Sequence, residues 1–245
     1  MADEVQRFYE GEANVYEELR FRSYQGVYSD AVQKSIVLEL VGKCKGKSIL
    51  EIGSGTGRLT RELAKCGAHL VCVDFSRKMH EHLRMGLHSN SVEYFVMSGT
   101  DLGFADNTFD GCLAVNVMSH VKDGSKILME VNRVLKEGGF FVANFPNLLS
   151  VYFPIGGIVN LFGRSLQAPV YSRWYSFGRT IRFLRNARLN PVRVLGHMIL
   201  PRKYCPTVLF KFFRELDRRM LQSNLGFLSG DLFVKSRKFR SRGIR

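Results

Sequence analysis

Three alternating glycines, Gly53, Gly55 and Gly57, are the residues best suited to binding chemistry. They follow an apolar segment at residues 48–52 and precede a predicted helix, and glycine lets a ligand approach the backbone closely. Open α/β sheets bind ligands beyond the carboxyl end of such a first strand. The segment therefore predicts a ligand-binding turn that consists of Gly53, Ser54, Gly55, Thr56 and Gly57.

The spacing of these glycines argues against two common phosphate-binding turns. The dinucleotide fingerprint needs glycine or alanine where this chain has Arg58, and the phosphate loop needs a Gly-Lys-Ser/Thr sequence, which is absent. Glu51, two residues before the first glycine, would also repel a phosphate. The turn is therefore predicted to bind a ligand other than a nucleotide phosphate.

A second candidate is the acid that ends the next apolar segment, residues 69–74. Asp74 follows Glu51 by 23 residues, close to the offset of about 20 at which an acid contacts ribose hydroxyls in such folds. Asp74 could instead serve as an ordinary cap for the following helix. The sequence is consistent with either role.

The elements that must position these residues alternate between short apolar strands and amphipathic helices, which predicts an α/β fold with a parallel sheet. The predicted strands occupy residues 48–52, 69–74, 92–97, 109–116, 139–144, 191–200 and 231–238. The predicted helices occupy residues 5–40, 57–66, 76–87, 124–135, 177–188 and 207–222, with Ser176 as a candidate N-cap.

The run Glu51-x-Gly53-x-Gly55-x-Gly57 resembles the first motif of class I S-adenosylmethionine-dependent methyltransferases. In that family the glycine turn holds the amino-acid end of the cofactor, which carries an ammonium and a sulfonium and no phosphate. The resemblance thus gives Glu51 a role beside a positive ligand. It implies a Rossmann-like sheet that is mostly parallel with an antiparallel last strand and has helices on both faces.

Two further stretches carry the same resemblance. Residues 74–79 are similar to the family pattern Asp-x-Ser-x-x-Met, in which the residue after the acid and the methionine lie against adenine. Residues 102–110 are similar to a run found in the ubiquinone/menaquinone-type group, also called methyltransferase type 11. The cofactor contacts implied by the first of these stretches are Asp74, Phe75, Ser76 and Met79. Met79 could equally be plain core.

The remaining site residues follow from the same resemblance. The adenine-edge position, usually acidic in the family, is Ser98, so its hydroxyl or Asp101 would have to supply that contact. His120 matches a position near the transferable methyl and is the candidate general base, although it could simply pack. The other implied cofactor contacts are Gly99, Thr100, Asn116 and Val117.

Upstream, residues 9–20 resemble a helix that closes over the cofactor in many relatives. Tyr16 is the predicted contact of its two tyrosines, with simple packing as the alternative. We expect one methyltransferase domain over residues 1–245. Its predicted parts are a helical cap at 1–45, a cofactor-binding core at 46–147, an apolar insertion or lid at 148–176 and a basic part at 177–245 that completes the sheet.

The charge of the chain is unevenly distributed. Residues 1–145 contain 17 Lys/Arg and 19 Asp/Glu, whereas residues 146–245 contain 19 and 3, so the net charges are −2 and +16. The excess of positive charge could simply lie on solvent-exposed helix faces. Alternatively, the basic side chains could contact an anionic membrane, nucleic acid or a small anionic acceptor. The membrane fits best beside an apolar insertion. The basic side chains on predicted helices are Arg179, Arg182, Arg185, Arg188, Lys211, Arg214, Arg218 and Arg219.

The first residues are acidic and polar, unlike a signal or transit peptide, so we expect a cytoplasmic protein that could lie at the periphery of a membrane. The uncharged stretch at residues 148–163 is too short and broken to span a bilayer. Five scattered cysteines without a Cys-x-x-Cys pair predict neither a disulfide framework nor a metal site.

The leading hypothesis is a methyltransferase that uses S-adenosylmethionine, releases S-adenosylhomocysteine and acts on a small or lipid-like acceptor, with negative charge on that acceptor left open. The alternative enzyme acts on protein or RNA through the basic surface. A third hypothesis is a module that binds the cofactor and methylates nothing. The sequence alone does not name the acceptor.

Overall fold

The apolar segments of the chain assemble into one sheet in the computed structural model. The structure describes residues 2–87, 89–150, 173–198, 207–222 and 224–239. In these ranges the sheet has seven strands in the order β3-β2-β1-β4-β5-β7-β6. The strands are β1 (Ser48–Ile52), β2 (His69–Asp74), β3 (Val92–Val96), β4 (Phe109–Ala114), β5 (Leu135–Pro146), β6 (Leu189–His197) and β7 (Asp231–Lys238).

The pairing of the strands sets where the site must lie. Strands β1 to β5 pair in parallel, and β7 inserts antiparallel between β5 and β6. The predicted mostly parallel, Rossmann-like sheet with an antiparallel last strand is therefore confirmed. Because β1, β2 and β4 are parallel neighbours, the turns after all three open at one edge of the sheet, where such folds bind ligands.

The helices differ from the prediction mainly at the amino terminus. The α-helices are α1 (Ala2–Glu12), α2 (Tyr16–Phe21), α3 (Tyr24–Val41), α4 (Thr60–Lys65), α5 (Arg77–Gly86), α6 (Gly124–Val134), α7 (Phe177–Asn186) and α8 (Thr207–Gln222). A 3-10 turn at Ala13–Val15 separates α1 from α2. A second interruption lies at Ser23, whose side chain caps α3 by accepting a hydrogen bond from the Gly26 amide. The prediction of one continuous helix at residues 5–40 is therefore wrong.

Several predicted boundaries are wrong: the strand predicted at 109–116 ends at Ala114, the strand predicted at 191–200 is Leu189–His197, and two further boundaries differ for clear local reasons. Strand β5 begins at Leu135, not at residue 139, because Leu135 pairs with Phe109 and the glycine-rich stretch continues the strand with a register shift. Helix α4 begins at Thr60, because residues 57–59 still belong to the turn and Gly57 has a φ of 83°. The predicted N-cap Ser176 is confirmed, since its side chain accepts a hydrogen bond from the Arg179 amide.

Helices cover both faces of the sheet, as predicted. On one face, Val37 and Leu40 of α3 and Leu63 of α4 pack in a buried apolar cluster with β1 and β2. On the other face, Leu128 of α6 and Leu184 of α7 pack in a second cluster with β1, β4 and β5. The two faces hold the central strands in a closely packed interior, so the edge with the turns is fixed in position.

The predicted insertion at residues 148–176 lies largely outside the described residues. Its two described ends are adjacent, since the Leu148 amide donates to the Tyr175 carbonyl at 2.9 Å and the Tyr175 amide donates to the Pro146 carbonyl at 2.8 Å. The chain thus leaves and rejoins the core at one point. Within the described ranges, no helix is long and apolar enough to span a bilayer.

The basic side chains of α7 and α8 lie on the surface. Arg179, Arg182 and Arg185 of α7 are exposed. On α8, Arg218 and Arg219 pair with Glu215 of the same helix. Leu209 and Leu216 of α8 are 48% and 47% exposed, whereas Phe210 is buried against Tyr24 and Tyr28. The described apolar side chains of α8 thus do not share one buried face.

Candidate functional site

A cavity of about 760 Å³ opens at the edge where β1, β2 and β4 end. Of the predicted site residues, Gly57 and Ser76 do not line it. Ser76 caps α5 by accepting a hydrogen bond from the Met79 amide, and Gly57 packs against Leu83. Those that line it are Tyr16, Glu51, Gly53, Ser54, Gly55, Thr56, Asp74, Phe75, Met79, Ser98, Gly99, Thr100, Asn116, Val117 and His120.

The carboxylate of Asp74 joins the glycine turn to β2. One oxygen accepts a hydrogen bond from the Gly55 amide and the other from the Ser76 amide, each at 2.9 Å. The side chain is buried, and burial raises its pKa while the amide donors oppose that rise. Asp74 is therefore fixed at the cavity wall with lone pairs left for a ligand hydroxyl. The capping role belongs to Ser76, the N-cap of α5.

Glu51 contributes a second buried carboxylate to the cavity wall. Its oxygen accepts a hydrogen bond from the Thr60 hydroxyl at 2.7 Å. Burial raises the pKa of Glu51 to about 7, although the Thr60 hydrogen bond and the Arg58 charge oppose the rise. A cation in the cavity would favour the ionised form of this group, so the wall is suited to a positive ligand.

Arg58 lines the cavity, yet its guanidinium is directed toward α3. It pairs with Asp30, donates to the Gln33 side chain at 2.8 Å and lies 4.8 Å from the centre of the Phe21 ring. The residue that breaks the dinucleotide fingerprint therefore attaches α2 and α3 to the glycine turn. Its charge is balanced by a carboxylate outside the cavity lining.

The turn after β3 supplies hydroxyl groups where relatives were expected to carry an acid. The Ser98 and Thr100 hydroxyls lie 2.8 Å apart, and both residues line the cavity. Asp101 is exposed and lies outside the lining. The structure thus brings Ser98, and not Asp101, into the lining of the cavity.

The turn after β4 forms the floor of the cavity. Asn116 adopts a left-handed conformation with a φ of 60°, and Val117 follows it against the glycine turn. The His120 amide donates to the Val117 carbonyl at 2.9 Å, so the imidazole lies one tight turn further along. The Tyr9 ring packs edge-on against His120, with ring centres 5.7 Å apart. A proton acceptor and an aromatic wall therefore meet at this end.

The amino-terminal helices cover the cavity. The Gln6 side chain of α1 donates to the Phe75 carbonyl at 2.9 Å. The Arg20 guanidinium lies 4.2 Å from the centre of the Tyr16 ring, and burial raises the pKa values of both Tyr9 and Tyr16. Both tyrosines line the cavity, whereas the sequence favoured Tyr16 alone.

Some lining residues were missed by the sequence reasoning. Lys122, Asp123 and Lys126 line the cavity beyond His120, and Val5 and Gln6 line it from α1. The only available signal for the first group was its position directly after His120 and at the start of α6. Nothing in the local pattern of α1 distinguishes the residues that meet the cavity from their neighbours.

Comparison with known proteins identifies the class. The family model described as a methyltransferase domain matches residues 50–143, the part that holds β1, β2, β4 and their turns. Residues 50–143 thus match a methyltransferase domain, which is less than half of the chain. The predicted resemblance to class I S-adenosylmethionine-dependent methyltransferases of the ubiquinone/menaquinone type is confirmed.

Two bacterial quinone methyltransferases are similar in sequence to the chain over part of its length. A demethylmenaquinone methyltransferase from Clavibacter sepedonicus is 34% identical over 143 residues, 58% of this chain and 55% of the relative. A ubiquinone/menaquinone biosynthesis C-methyltransferase from Desulfotalea psychrophila is 28% identical over 159 residues, 61% of this chain and 65% of the relative. The chain thus matches little more than half the length of these relatives.

A solved structure shows that the fold likeness extends further than the sequence likeness. An S-adenosylmethionine-dependent methyltransferase from Thermotoga maritima superposes with a TM-score of 0.68 at 19% identity, over 95% of this chain and 99% of that one. At such low identity the likeness concerns the fold alone.

Two glycines of the turn should respond differently to alanine. Both have positive φ, which costs a non-glycine residue about 1–2 kcal/mol. A Cβ at Gly57 would also lie 1.9 Å from Leu83 Cδ1, whereas a Cβ at Gly55 would meet nothing within 4 Å. We expect Gly57→Ala to lower the free energy of unfolding by about 2–5 kcal/mol and Gly55→Ala by about 1–2 kcal/mol, measured by urea denaturation. Equal losses would contradict this placement.

Proposed function

We propose that the protein binds S-adenosylmethionine in this cavity and catalyses transfer of its methyl group to a small, lipid-like acceptor, with S-adenosylhomocysteine as the product. The observation that carries the proposal is the joint opening of the glycine turn and the Asp74 carboxylate into one cavity. The methyltransferase domain match over residues 50–143 supports it.

The cavity wall suits the chemical groups of that cofactor. A Cβ at Gly55 would project into open space, so the backbone there leaves room for a ligand. Asp74 would accept hydrogen bonds from ribose hydroxyls, and Glu51 would stand near the amino-acid end with its positive charges. Met79 and Phe75 offer apolar contacts for adenine, and Ser98 offers a hydroxyl at its edge. When bound, the cofactor supplies a methyl group on a sulfonium.

A small acceptor is favoured by the cover that α1 and α2 form over the cavity. Tyr9, Tyr16 and Val5 line it from that side, and apolar and aromatic walls suit a compact ring system or lipid. The relatives named for demethylmenaquinone and ubiquinone support the same class of acceptor. Lys122 and Lys126 at the cavity wall would accommodate an acceptor with negative charge.

The residues of this chain would act on the acceptor by positioning it and by moving one proton. The cavity walls hold the acceptor atom in line with the transferable group, which by itself supplies a large part of the rate enhancement. The neutral His120 imidazole would take the proton that the acceptor atom loses. Tyr9 packs against His120 and limits the directions that the imidazole can adopt.

Asp74 provides a direct test of cofactor binding. We expect Asp74→Ala to weaken binding of S-adenosylhomocysteine by about 1–3 kcal/mol, because the ribose would lose its acceptor. Asp101→Ala is the matched control, since Asp101 is an exposed acid outside the cavity lining, and we expect no change. Isothermal titration calorimetry measures both. Unchanged affinity in Asp74→Ala would remove the ribose contact from the proposal.

Glu51 predicts a pH dependence of binding. With its pKa raised to about 7, the group is largely protonated at pH 6 in the free protein, and the ammonium group of a bound ligand would favour release of that proton. The affinity for S-adenosylhomocysteine should therefore rise several-fold from about pH 6 to about pH 7.5, with proton release on binding. Calorimetry in two buffers of different ionisation enthalpy checks this. The rise should disappear in Glu51→Gln, and the same rise in that variant would assign it to another group.

His120 is tested by separating turnover from binding. We expect His120→Ala to reduce kcat by about 10²–10⁴-fold with a water-soluble demethylmenaquinone analogue, because the proton loses its acceptor. Affinity for S-adenosylhomocysteine should stay unchanged. His69→Ala is the control, since His69 is exposed at the opposite end of β2. Full activity in His120→Ala would leave His120 a packing role only.

A further inference from the structure

We propose that Asn144 is a positioning residue that fixes the floor of the cavity, and that a chain of polar contacts from α3, here called the relay, sets its orientation. The relay consists of Ser29, His197, Asp231, Asn144 and Asn116. The role in ligand binding rests on the proposed function. The control of the floor itself does not.

The first step is the contact between Asn144 and the floor. The Asn116 amide donates to Asn144 Oδ1 at 2.6 Å, and Asn144 Nδ2 donates to Asn116 Oδ1 at 3.0 Å. Asn116 has a left-handed φ of 60°, a conformation that residues other than glycine adopt only with local support. The two hydrogen bonds hold both the backbone and the side chain of Asn116, and so supply that support.

The conformation of Asn116 decides where the next residues of the floor lie. Val117 packs so closely under Gly53 that a Cβ at Gly53 would lie 2.4 Å from Val117 Cγ2. The His120 amide is attached to the Val117 carbonyl. A change in the Asn116 backbone would therefore move both the contact with the glycine turn and the position of the His120 imidazole.

Asp231 helps to determine which way the Asn144 amide points. Asn144 is buried, and its Nδ2 also donates to Asp231 Oδ1 at 3.2 Å. A reversed amide would place its oxygen against the Asp231 carboxylate and its nitrogen against the Asn116 amide, which would lose all three hydrogen bonds. The Asp231 carboxylate and the Asn116 backbone amide together select the one orientation that holds Asn116.

The far end of the relay lies in α3. Asp231 Oδ2 is 3.5 Å from Nδ1 of the buried His197, its partner across β6 and β7. His197 Nε2 lies 3.2 Å from the Ser29 hydroxyl of α3. The same nitrogen also lies 3.3 Å from the Ser29 carbonyl oxygen, so His197 has two contacts with α3. The relay therefore links the helical layer to the floor through the last two strands.

Three variants separate a positioning role from a general loss of stability. Asn144→Leu removes both hydrogen bonds to Asn116, Asp231→Leu removes one of the two groups that orient the Asn144 amide, and Asp231→Asn keeps an acceptor for that amide. Leu189→Ala is the control, because Leu189 is fully buried at the opposite end of β6 and lies outside the relay. It should lower the thermal midpoint without reaching the floor.

Hydrogen exchange of the floor gives a readout that needs no ligand. We expect the peptide that spans residues 115–121 to exchange about tenfold faster or more in Asn144→Leu and Asp231→Leu, and at the wild-type rate in Asp231→Asn and Leu189→Ala. Wild-type exchange of this peptide in Asn144→Leu would overturn the proposal. So would equal acceleration in Leu189→Ala, because that would reflect global stability.

Binding of S-adenosylhomocysteine gives the second readout. We expect Asn144→Leu to weaken the affinity about tenfold, and Asp231→Asn and Leu189→Ala to leave it within about twofold of the wild type. Loss of affinity in Asp231→Asn as large as in Asp231→Leu would refute the orienting role of the acid. If the wild-type protein bound no S-adenosylhomocysteine, the proposed function would fail, and hydrogen exchange would still decide the role of Asn144.

Discussion

The hydrogen bonds to the Asp74 carboxylate are the interaction on which the rest of the site depends. They join the turn after β1, through Gly55, to the first residues of α5, through Ser76. A buried carboxylate without such donors would be strongly unfavourable, so the turn and the helix start must adopt these positions together. The seat for the ligand is therefore formed by the fold itself and does not need the ligand in order to form.

The charge at the cavity wall depends on which ionisable side chains face the cavity and which are paired outside it. Asp74 and Glu51 both face it, and the nearby Arg58 has its charge balanced by Asp30 of α3. Arg58 thereby attaches the helical layer to the turn and leaves the two carboxylates to set the field beside the glycine turn, while Lys122 and Lys126 line the cavity beyond His120. Such a field attracts a cation and repels a phosphate, and this agrees with the exclusion of nucleotides that the glycine spacing suggested.

The sequence predicted those parts of the fold that depend on local pattern. Strands β1, β2 and β7 have the predicted bounds, because apolar periodicity and turn residues mark both of their ends. The start of β5 was missed because its glycines resemble a loop, and only the pairing of Leu135 with Phe109 makes them a strand. Likewise the break before α3 depends on a cap at Ser23 inside an otherwise helical pattern.

The residues of the candidate site likewise divide into those that the sequence predicts and those that it does not. The glycine turn and Asp74 were identified because spacing along the chain encodes them. The relay behind Asn116 was not, since its members lie in α3, β5, β6 and β7 and meet only in the folded chain. Gln6 and Lys122 were missed for the same reason, because no local period distinguishes a residue that faces a cavity from one that faces solvent.

The two sides of the cavity differ in how firmly they are held. The floor is fixed by the buried Asn144 and by packing under Gly53. In the cover, by contrast, Tyr9 and Tyr16 are only partly shielded from solvent, Ala13 is the one fully buried residue among residues 5–21, and Gln6 contacts Phe75 at a partly exposed position. Segments with little buried apolar surface open at lower free energy than a packed core. Exchange of ligands should therefore proceed through the cover, while the floor keeps His120 and the glycine turn in a constant relation.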